Sequence, residues 1–284
     1  MQNSFCLSLV RKYMLKDIQN CEDTRKIELE QAGIKGLHYP IAVLDKVHKT
    51  QHTTALVDLY VNLPKQFKGT HMSRFVEVFH SYSNHISMKE YLTMLEDIRH
   101  RLNAATAYGK LAFPYFIEKS APVTKKKSIM SYHCEFSGKV SEHSKRFTVL
   151  VRVPVQTLCP CSKEISQFGA HNQRAQATVS LEIGSFFWLE DLIEIVEQSA
   201  SAPLYSLLKR DDEKFITETS YLNPKFVEDT VRDISLKLPL LGDFPACRVE
   251  VESYESIHNH NAFASARGLC KNGSFIQDDP HVAF

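Results

Sequence analysis

The order of strand-like and helix-like segments is the feature that most restricts how this chain can fold. Segments 39–45 and 53–61 are rich in apolar and β-branched residues and predict two neighbouring strands. Apolar residues with helical spacing follow and predict a helix over 88–106, and Ser87 and Glu90 have the spacing of a capping box at its start. Three more strands are predicted, near 111–118, 129–138 and 146–155.

The second half of the chain repeats this order. Segment 176–183 predicts a strand, and Leu189, Leu192, Ile193 and Val196 mark a helix. Asn223 and Pro224 predict the start of another helix, as an N-cap followed by a first-turn proline. Its buried stripe is formed by Val227, Val231, Ile234 and Leu238. Apolar and polar residues alternate in segment 247–253, which predicts a strand with one face exposed to solvent. We therefore expect strand, strand, helix, helix, strand, strand approximately twice, in closely packed halves.

Composition excludes several classes of function. Lys plus Arg is 34 and Asp plus Glu is 33, and this balance argues against a general nucleic-acid binder while allowing a small phosphorylated substrate. Seven scattered cysteines do not form a disulfide framework and favour a reducing compartment. No secretory signal and no membrane-length apolar run is evident, so we expect a cytoplasmic protein without membrane contacts.

Segment 159–174 concentrates candidate ligands for a metal ion. Cys159, Cys161 and His171 lie among polar residues between two apolar segments, and thiolate and imidazole are preferred ligands of borderline-soft cations. We expect one cysteine and one histidine to bind the ion, with further ligands from elsewhere in the chain and room left for water, which is typical of a catalytic site. The alternative is a buried thiol and a hydrogen-bonded ring without metal.

Other polar groups complete the list of candidates. Further ligands are sought among Asp211, Asp212 and Glu213, then Glu228, then Glu255, although each has an alternative role as a solvated or ion-paired carboxylate. Glu255 stands close to His258 and His260 after a strand, which suits substrate recognition or proton transfer. No Walker A loop, dinucleotide fingerprint, H-E-x-x-H helix or nucleophile elbow occurs. The candidates for a phosphate site are Lys35, Arg74, Lys163 and Arg174.

Several segments, in order, resemble the GTP cyclohydrolase type IB family. They are 36–40, 67–77, 159–174, 208–214, 223–229 and 255–262. The resemblance implies an α+β fold of tandem tunnelling-fold (T-fold) modules, with antiparallel sheets and two helices packed on one face of each. It divides the chain into an N-terminal arm (1–30), a first module (31–142), a second module with the Cys/His motif (143–270) and a C-terminal tail (271–284). The arm and the tail match nothing in the family pattern.

The resemblance also implies an activity and roles for residues. Family members convert GTP and water into 7,8-dihydroneopterin triphosphate and formate, the first step toward folate, as homotetramers with interfacial active sites. The metal, which is zinc, manganese or iron, would be bound by Cys159, His171 and Glu213. Glu255 would anchor guanine, His258 and Glu228 would transfer protons, and Cys161 would lie close by. His71, Ser73 and Arg74 would be further substrate contacts.

Three alternatives stay open at this point. A related T-fold enzyme of the nitrile reductase kind would use Cys159 or Cys161 as a nucleophile and need no metal. A variant of the cyclohydrolase would release a cyclic phosphate product. A non-catalytic protein would hold a closed structural metal with four protein ligands.

Overall fold

The computed structural model describes Gln19 and residues 21–278. The strands are β1 (Leu29–Asp45), β2 (Lys49–Leu63), β3 (Thr106–Ser120), β4 (Lys127–Ser141), β5 (Lys145–Leu158), β6 (Asn172–Glu182), β7 (Ala202–Pro203), β8 (Phe244–Ser253), β9 (Ala262–Lys271) and β10 (Ser274–Gln277). The helices are α1 (Met72–Tyr82), α2 (Met88–Arg101), α3 (Pro160–Ile165), α4 (Leu189–Glu197), α5 (Arg210–Leu222) and α6 (Val227–Lys237), followed by a 3-10 turn at Leu238–Leu240.

All ten described strands belong to one antiparallel sheet. Its order is β1-β2-β3-β4-β5-β6-β8-β9-β10, and β7 pairs with β5. The mixed α and β composition and the antiparallel pairing agree with the expected α+β class. The strands of the two halves join through β4 and β5, so a single chain holds one continuous sheet and not two separate ones. The predicted boundary at 142/143 lies in the β4–β5 turn, and the division into modules stays a prediction.

The core lies between the helices and one face of the sheet. Phe75 of α1 and Tyr91 of α2 are fully buried against alternate residues of β2, β3 and β4. Gly109 and Gly138 are paired across β3 and β4, and a Cβ at Gly138 would lie 2.6 Å from the Tyr91 ring. The missing side chains therefore make the space that the aromatic ring fills, since interiors are packed without spare volume.

Buried polar contacts join the two halves. The Tyr115 hydroxyl donates to Glu190 Oε1 at 2.7 Å, and Lys119 Nζ lies 2.8 Å from Glu197 Oε1. Burial, and then the hydrogen bond to Glu190, raises the pKa of Tyr115 well above its ordinary value, so this hydroxyl remains a donor. Because β3 carries both first-half residues and α4 both carboxylates, these bonds fix α4 over the centre of the sheet.

One expectation about the helices of the second half is wrong, and one helix there was not predicted. Asn223 is not an N-cap: α6 begins at Val227 with Phe226 as its N-cap, and Asn223 is the C-cap of α5. Its amide donates to Ala200 O at 2.9 Å, so a partner from a distant loop replaces the local capping bond. Helix α5 itself was not predicted, because its first turn reads as a run of solvated acids.

The ends of the chain fall partly outside the described residues. Residues 1–18, 20 and 279–284 are not described, so most of the predicted arm and the last six residues of the predicted tail lie outside the described residues. Within the predicted tail, β10 pairs with Gly268–Lys271 of β9. Over the described ranges, none of the helices has the length and apolar character needed to cross a membrane.

Candidate active site

Cys159 and His171 lie opposite each other where the β5–β6 ladder ends. Leu158 is paired with Asn172, and the next backbone bond runs from Cys159 N to His171 O at 3.1 Å. The intervening residues form α3 and a loop, and this connection brings the chain back beside Cys159 at His171. Pairing of β5 with β6 therefore places the thiol-bearing and imidazole-bearing residues side by side at the end of these two strands.

Helix α3 holds the sulfur and the imidazole-bearing residue in place. Cys159 is its N-cap, Pro160 opens it, and the Ser162 N–H donates to Cys159 Sγ at 3.4 Å. The Ser162 hydroxyl oxygen in turn accepts from His171 N at 3.2 Å. Because α3 follows Cys159 directly, the local backbone is helical and not extended, and Cys161 faces solvent while both thiols stay unpaired.

One cavity gathers the candidate groups from four parts of the chain. Its volume is about 250 Å³, and we call it the site cavity. It is lined by Thr157, Cys159, His171, Gln173, Lys225, Phe226, Val227, Glu228, Ser253, Glu255, His258, His260 and Ala262. A thiol, imidazoles and carboxylates that converge on one concave site are the groups that metal binding and proton transfer require.

Hydrogen bonds connect the ring of His171 to Glu255. His171 Nδ1 lies 3.0 Å from Gln173 Oε1 and 3.8 Å from Glu255 Oε2. The two side chains are only 13% and 11% exposed. Glu255 follows the end of β8, where Tyr254 N donates to Arg174 O at 3.0 Å. Pairing of β8 with β6 therefore brings residue 255 next to residue 171.

The remaining wall of the site cavity comes from α6 and from the loop after β8. Lys225 N donates to Leu158 O at 3.1 Å, which ties the start of α6 to the end of β5 and places Glu228 at the rim. Lys225 Nζ is bound to Asp233 Oδ2 at 2.6 Å, so an ion pair neutralises this ammonium group. His258 is exposed and stacks on His260 with ring centroids 5.1 Å apart.

Five of the predicted site residues lie away from this cavity in the single chain. Cys161 is exposed on α3, and Glu213 is exposed on the first turn of α5. His71 and Arg74 line a second cavity of about 190 Å³ beside the start of α1, where Ser73 is exposed. In the described part of the chain, no three His, Cys, Asp or Glu side chains are close enough to hold a metal ion. Cys159 and His171 are the two of the three expected metal ligands that line the site cavity of this chain.

Asp212, one of the acidic candidates, has a structural role. It is completely buried, and its carboxylate accepts from Val123 N, Thr124 N, Thr124 Oγ1 and Lys209 N at 2.6–2.9 Å. Burial alone would raise the pKa of Asp212, but the hydrogen bonds from Thr124, Lys209 and Val123 outweigh it and hold the pKa well below its ordinary value. This side chain therefore caps α5 and fixes the β3–β4 turn, and it does not face the site.

The phosphate candidates are likewise dispersed. Lys163 Nζ donates to Tyr221 O at 2.6 Å and lies over the Tyr221 ring, Arg74 donates to Arg101 O, and Lys35 and Arg174 are exposed. Sequence reasoning missed Thr157, Ser253 and Lys225. For Thr157 and Ser253 the available signal was a hydroxyl at a core-facing position of an otherwise apolar strand.

Comparisons with known proteins agree on a family. A family model described as type I GTP cyclohydrolase folE2 matches residues 15–264. "GTP cyclohydrolase FolE2" of Syntrophus aciditrophicus is 54% identical over 87% of this chain and 97% of the relative. The protein of the same name from Thermosipho melanesiensis is 53% identical over 88% of this chain and 96% of the relative. Among solved structures, uricase from Arthrobacter globiformis matches with a TM-score of 0.49 and 8% identity over 88% of this chain and 96% of that one, too low for any conclusion.

Proposed function

The chain belongs to the type I GTP cyclohydrolase FolE2 family and is a GTP cyclohydrolase I of folate biosynthesis, and we propose that the site cavity is where it acts. One observation carries this assignment: Cys159, His171, Glu228, Glu255 and His258, which span 100 positions of sequence, line the same cavity. The substrate is GTP, and the products would be 7,8-dihydroneopterin triphosphate and formate.

The donor set of the site cavity fits a divalent metal ion. Cys159 contributes a sulfur oriented by the Ser162 N–H, and His171 has its Nδ1 engaged by Gln173, which leaves Nε2 for coordination. A cation held there would act as a Lewis acid and lower the pKa of a water molecule. Cys and His ligands with a carboxylate suit zinc, iron and manganese. Two protein ligands in one subunit leave positions open for the rest.

The carboxylates and imidazoles of the site cavity would bind the purine and transfer protons to and from it. Glu255, held by Gln173, would accept from the N1–H and the exocyclic amine of guanine, and so place C8 of the base. His258, exposed at the rim, would give a proton to a ring nitrogen, which makes C8 electrophilic. Glu228, on the first turn of α6, would move protons during ring opening, loss of formate and reclosure.

A homotetramer with interfacial sites would supply the groups that one chain lacks. Glu213 as third ligand, and Cys161, His71, Ser73 and Arg74, would approach the site cavity from a neighbouring subunit. Exposed apolar side chains support this arrangement, because Phe168, between Cys159 and His171 in the chain, is 96% exposed, and Ile257, next to His258, is 64% exposed. The tandem T-fold division at 142/143 and a cytoplasmic location belong to the same proposal.

The test is turnover of GTP by protein reconstituted with zinc, manganese or iron. We expect formate and, after oxidation, a fluorescent pterin. Cys159→Ala should form neither product, although its thermal unfolding temperature should match that of the parent protein. Cys21→Ala, which changes a cysteine outside the cavity, should form both products. Full turnover by Cys159→Ala would remove Cys159 from the reaction, both as a metal ligand and as a nucleophile. Turnover that survives a chelator but is lost in Cys159→Ala would remove the metal from the reaction and favour a cysteine nucleophile. Product analysis separates a linear triphosphate from a cyclic phosphate.

A further inference from the structure

The core of the sheet ends in a polar row beside the site cavity. Along β5, β6 and β8 the residues that face the helices are apolar, as in Val155, Ala175 and Val251. The next core-facing residue along each strand is Thr157, Gln173 or Ser253, where Thr157 is paired with Gln173 and Ser253 is paired with the neighbouring Ala175. Thr157 and Ser253 are only 2% and 1% exposed. Burying a polar group costs free energy unless it is hydrogen-bonded, so these three side chains must have hydrogen-bond partners.

Gln173 occupies the centre of that row and uses both ends of its amide. Its Nε2 donates to Thr157 Oγ1 at 3.2 Å and to Glu255 Oε1 at 3.3 Å. Its Oε1 lies 3.0 Å from His171 Nδ1 and accepts from Ser256 Oγ at 3.4 Å. Thr157 is in turn hydrogen-bonded to Ser253 Oγ at 3.0 Å, which anchors the amide to two buried hydroxyls.

The chemistry of the partners fixes which way the amide points. A carboxylate only accepts hydrogen bonds, so the NH₂ end of Gln173 must face Glu255. The carbonyl end then faces His171 Nδ1 as well as the Ser256 hydroxyl, and since a carbonyl oxygen only accepts hydrogen bonds, Nδ1 must carry a proton to bond to it. His171 is thereby held as the Nδ1–H tautomer with a lone pair on Nε2. One side chain thus sets the tautomer of one site residue and the position of another.

We propose that Gln173 is a positioning residue that aligns the metal ligand His171 with the base anchor Glu255. It touches neither metal nor reacting atoms, and it acts through its two neighbours. The inference rests on the proposed function, because it takes His171 as ligand and Glu255 as base anchor. A Gln173 that merely filled space would affect stability but would not affect metal binding and nucleotide binding separately.

Two substitutions separate the two ends of the amide. Gln173→Leu removes donor and acceptor together, and it should weaken metal binding by about 10–100-fold, as loss of a ligand's outer hydrogen bond does. It should also weaken binding of GTP to metal-depleted protein about tenfold. Gln173→Glu keeps an acceptor for His171 Nδ1 but sets a like charge against Glu255. It should hold metal within about threefold of the parent protein, yet still weaken GTP binding about tenfold.

The measurements are metal competition against a chromogenic chelator and calorimetry of GTP with the metal-depleted full chain, each beside a thermal melt. Gln176→Leu is the matched control, since Gln176 is on the same strand with its side chain on the opposite face, and it should change neither affinity. Equal effects of Gln173→Leu and Gln173→Glu on both affinities, or no effect of either, would overturn the inference. If Gln173→Leu does not fold, the isosteric Gln173→Glu decides alone. Cys159→Ala, measured in parallel, tests the metal site itself: retained metal there refutes the proposed function and not this inference only.

Discussion

Glu255→Gln should remove the ability of the enzyme to recognise the exocyclic amine of guanine. Inosine triphosphate retains the N1–H of GTP but lacks that amine, so under the role proposed for Glu255 the two nucleotides would differ by one hydrogen bond to this carboxylate. A hydrogen bond to a charged acceptor contributes about 1.5–3 kcal/mol, which corresponds to a preference for GTP of about 10–150-fold in kcat/KM. Because the Glu255 side chain is only 11% exposed, the preference for GTP should lie in the upper part of that range.

The structure explains why the amide cannot replace the carboxylate. Gln173 Nε2 already donates to Glu255 Oε1, so the carbonyl of Glu255→Gln would be turned toward Gln173. Its NH₂ group would then meet the N1–H and amine donors of the base, and GTP would lose its advantage over inosine triphosphate. We expect the ratio of the two kcat/KM values to fall to within about threefold of unity.

The assay is formate release from each nucleotide by parent, Glu255→Gln and a control. Glu250→Gln is the control, because this carboxylate lies on the opposite face of β8 in an ion pair with Arg248. It should leave the GTP preference intact. An unchanged ratio in Glu255→Gln would show that another group reads the base, and the assignment of Glu255 would be wrong.

Three further predictions concern stability and thiol reactivity. Asp212→Asn should destabilise the fold at neutral pH. Because the pKa of Asp212 is depressed in the folded state, the difference in urea midpoint between parent and variant should shrink as the pH falls below about 4, the pKa in the unfolded state. A difference that does not change with pH would contradict this. Gly138→Ala should cost about 1–3 kcal/mol of unfolding free energy, because the new Cβ would lie 2.6 Å from the Tyr91 ring, and an unchanged urea midpoint would refute the packing argument. Iodoacetamide should modify exposed Cys161 in the native protein well before Cys134, where burial raises the pKa of the thiol, and mass spectrometry showing the reverse order would contradict the burial assignment.

Local patterns in the sequence predicted seven of the ten described strands and the helices α2, α4 and α6, but not β7, β9, β10, α3 or α5. The alternation at 247–253 lies within β8, and Val227, Val231 and Ile234 form the buried side of α6 as predicted. The start of α6 was misplaced, since Asn223 bonds to Ala200, a residue 23 positions away that no local capping rule includes. The predicted strands began too late, because β1 starts at Leu29 and β2 starts at Lys49, and the apolar alternation fades in these exposed first residues.

The sequence by itself determined the donors at Cys159 and His171, the carboxylate at Glu255 and the period of each strand, since these depend on side-chain chemistry and local spacing. Only the tertiary structure decided that Thr157 is paired with Gln173 and Ser253 with Ala175, which brings the three polar side chains together, and that Glu213 is exposed on α5 outside the site cavity. The physical reason is register: alternation fixes which face a residue occupies, but hydrogen bonding between distant strands fixes which residues become neighbours on that face.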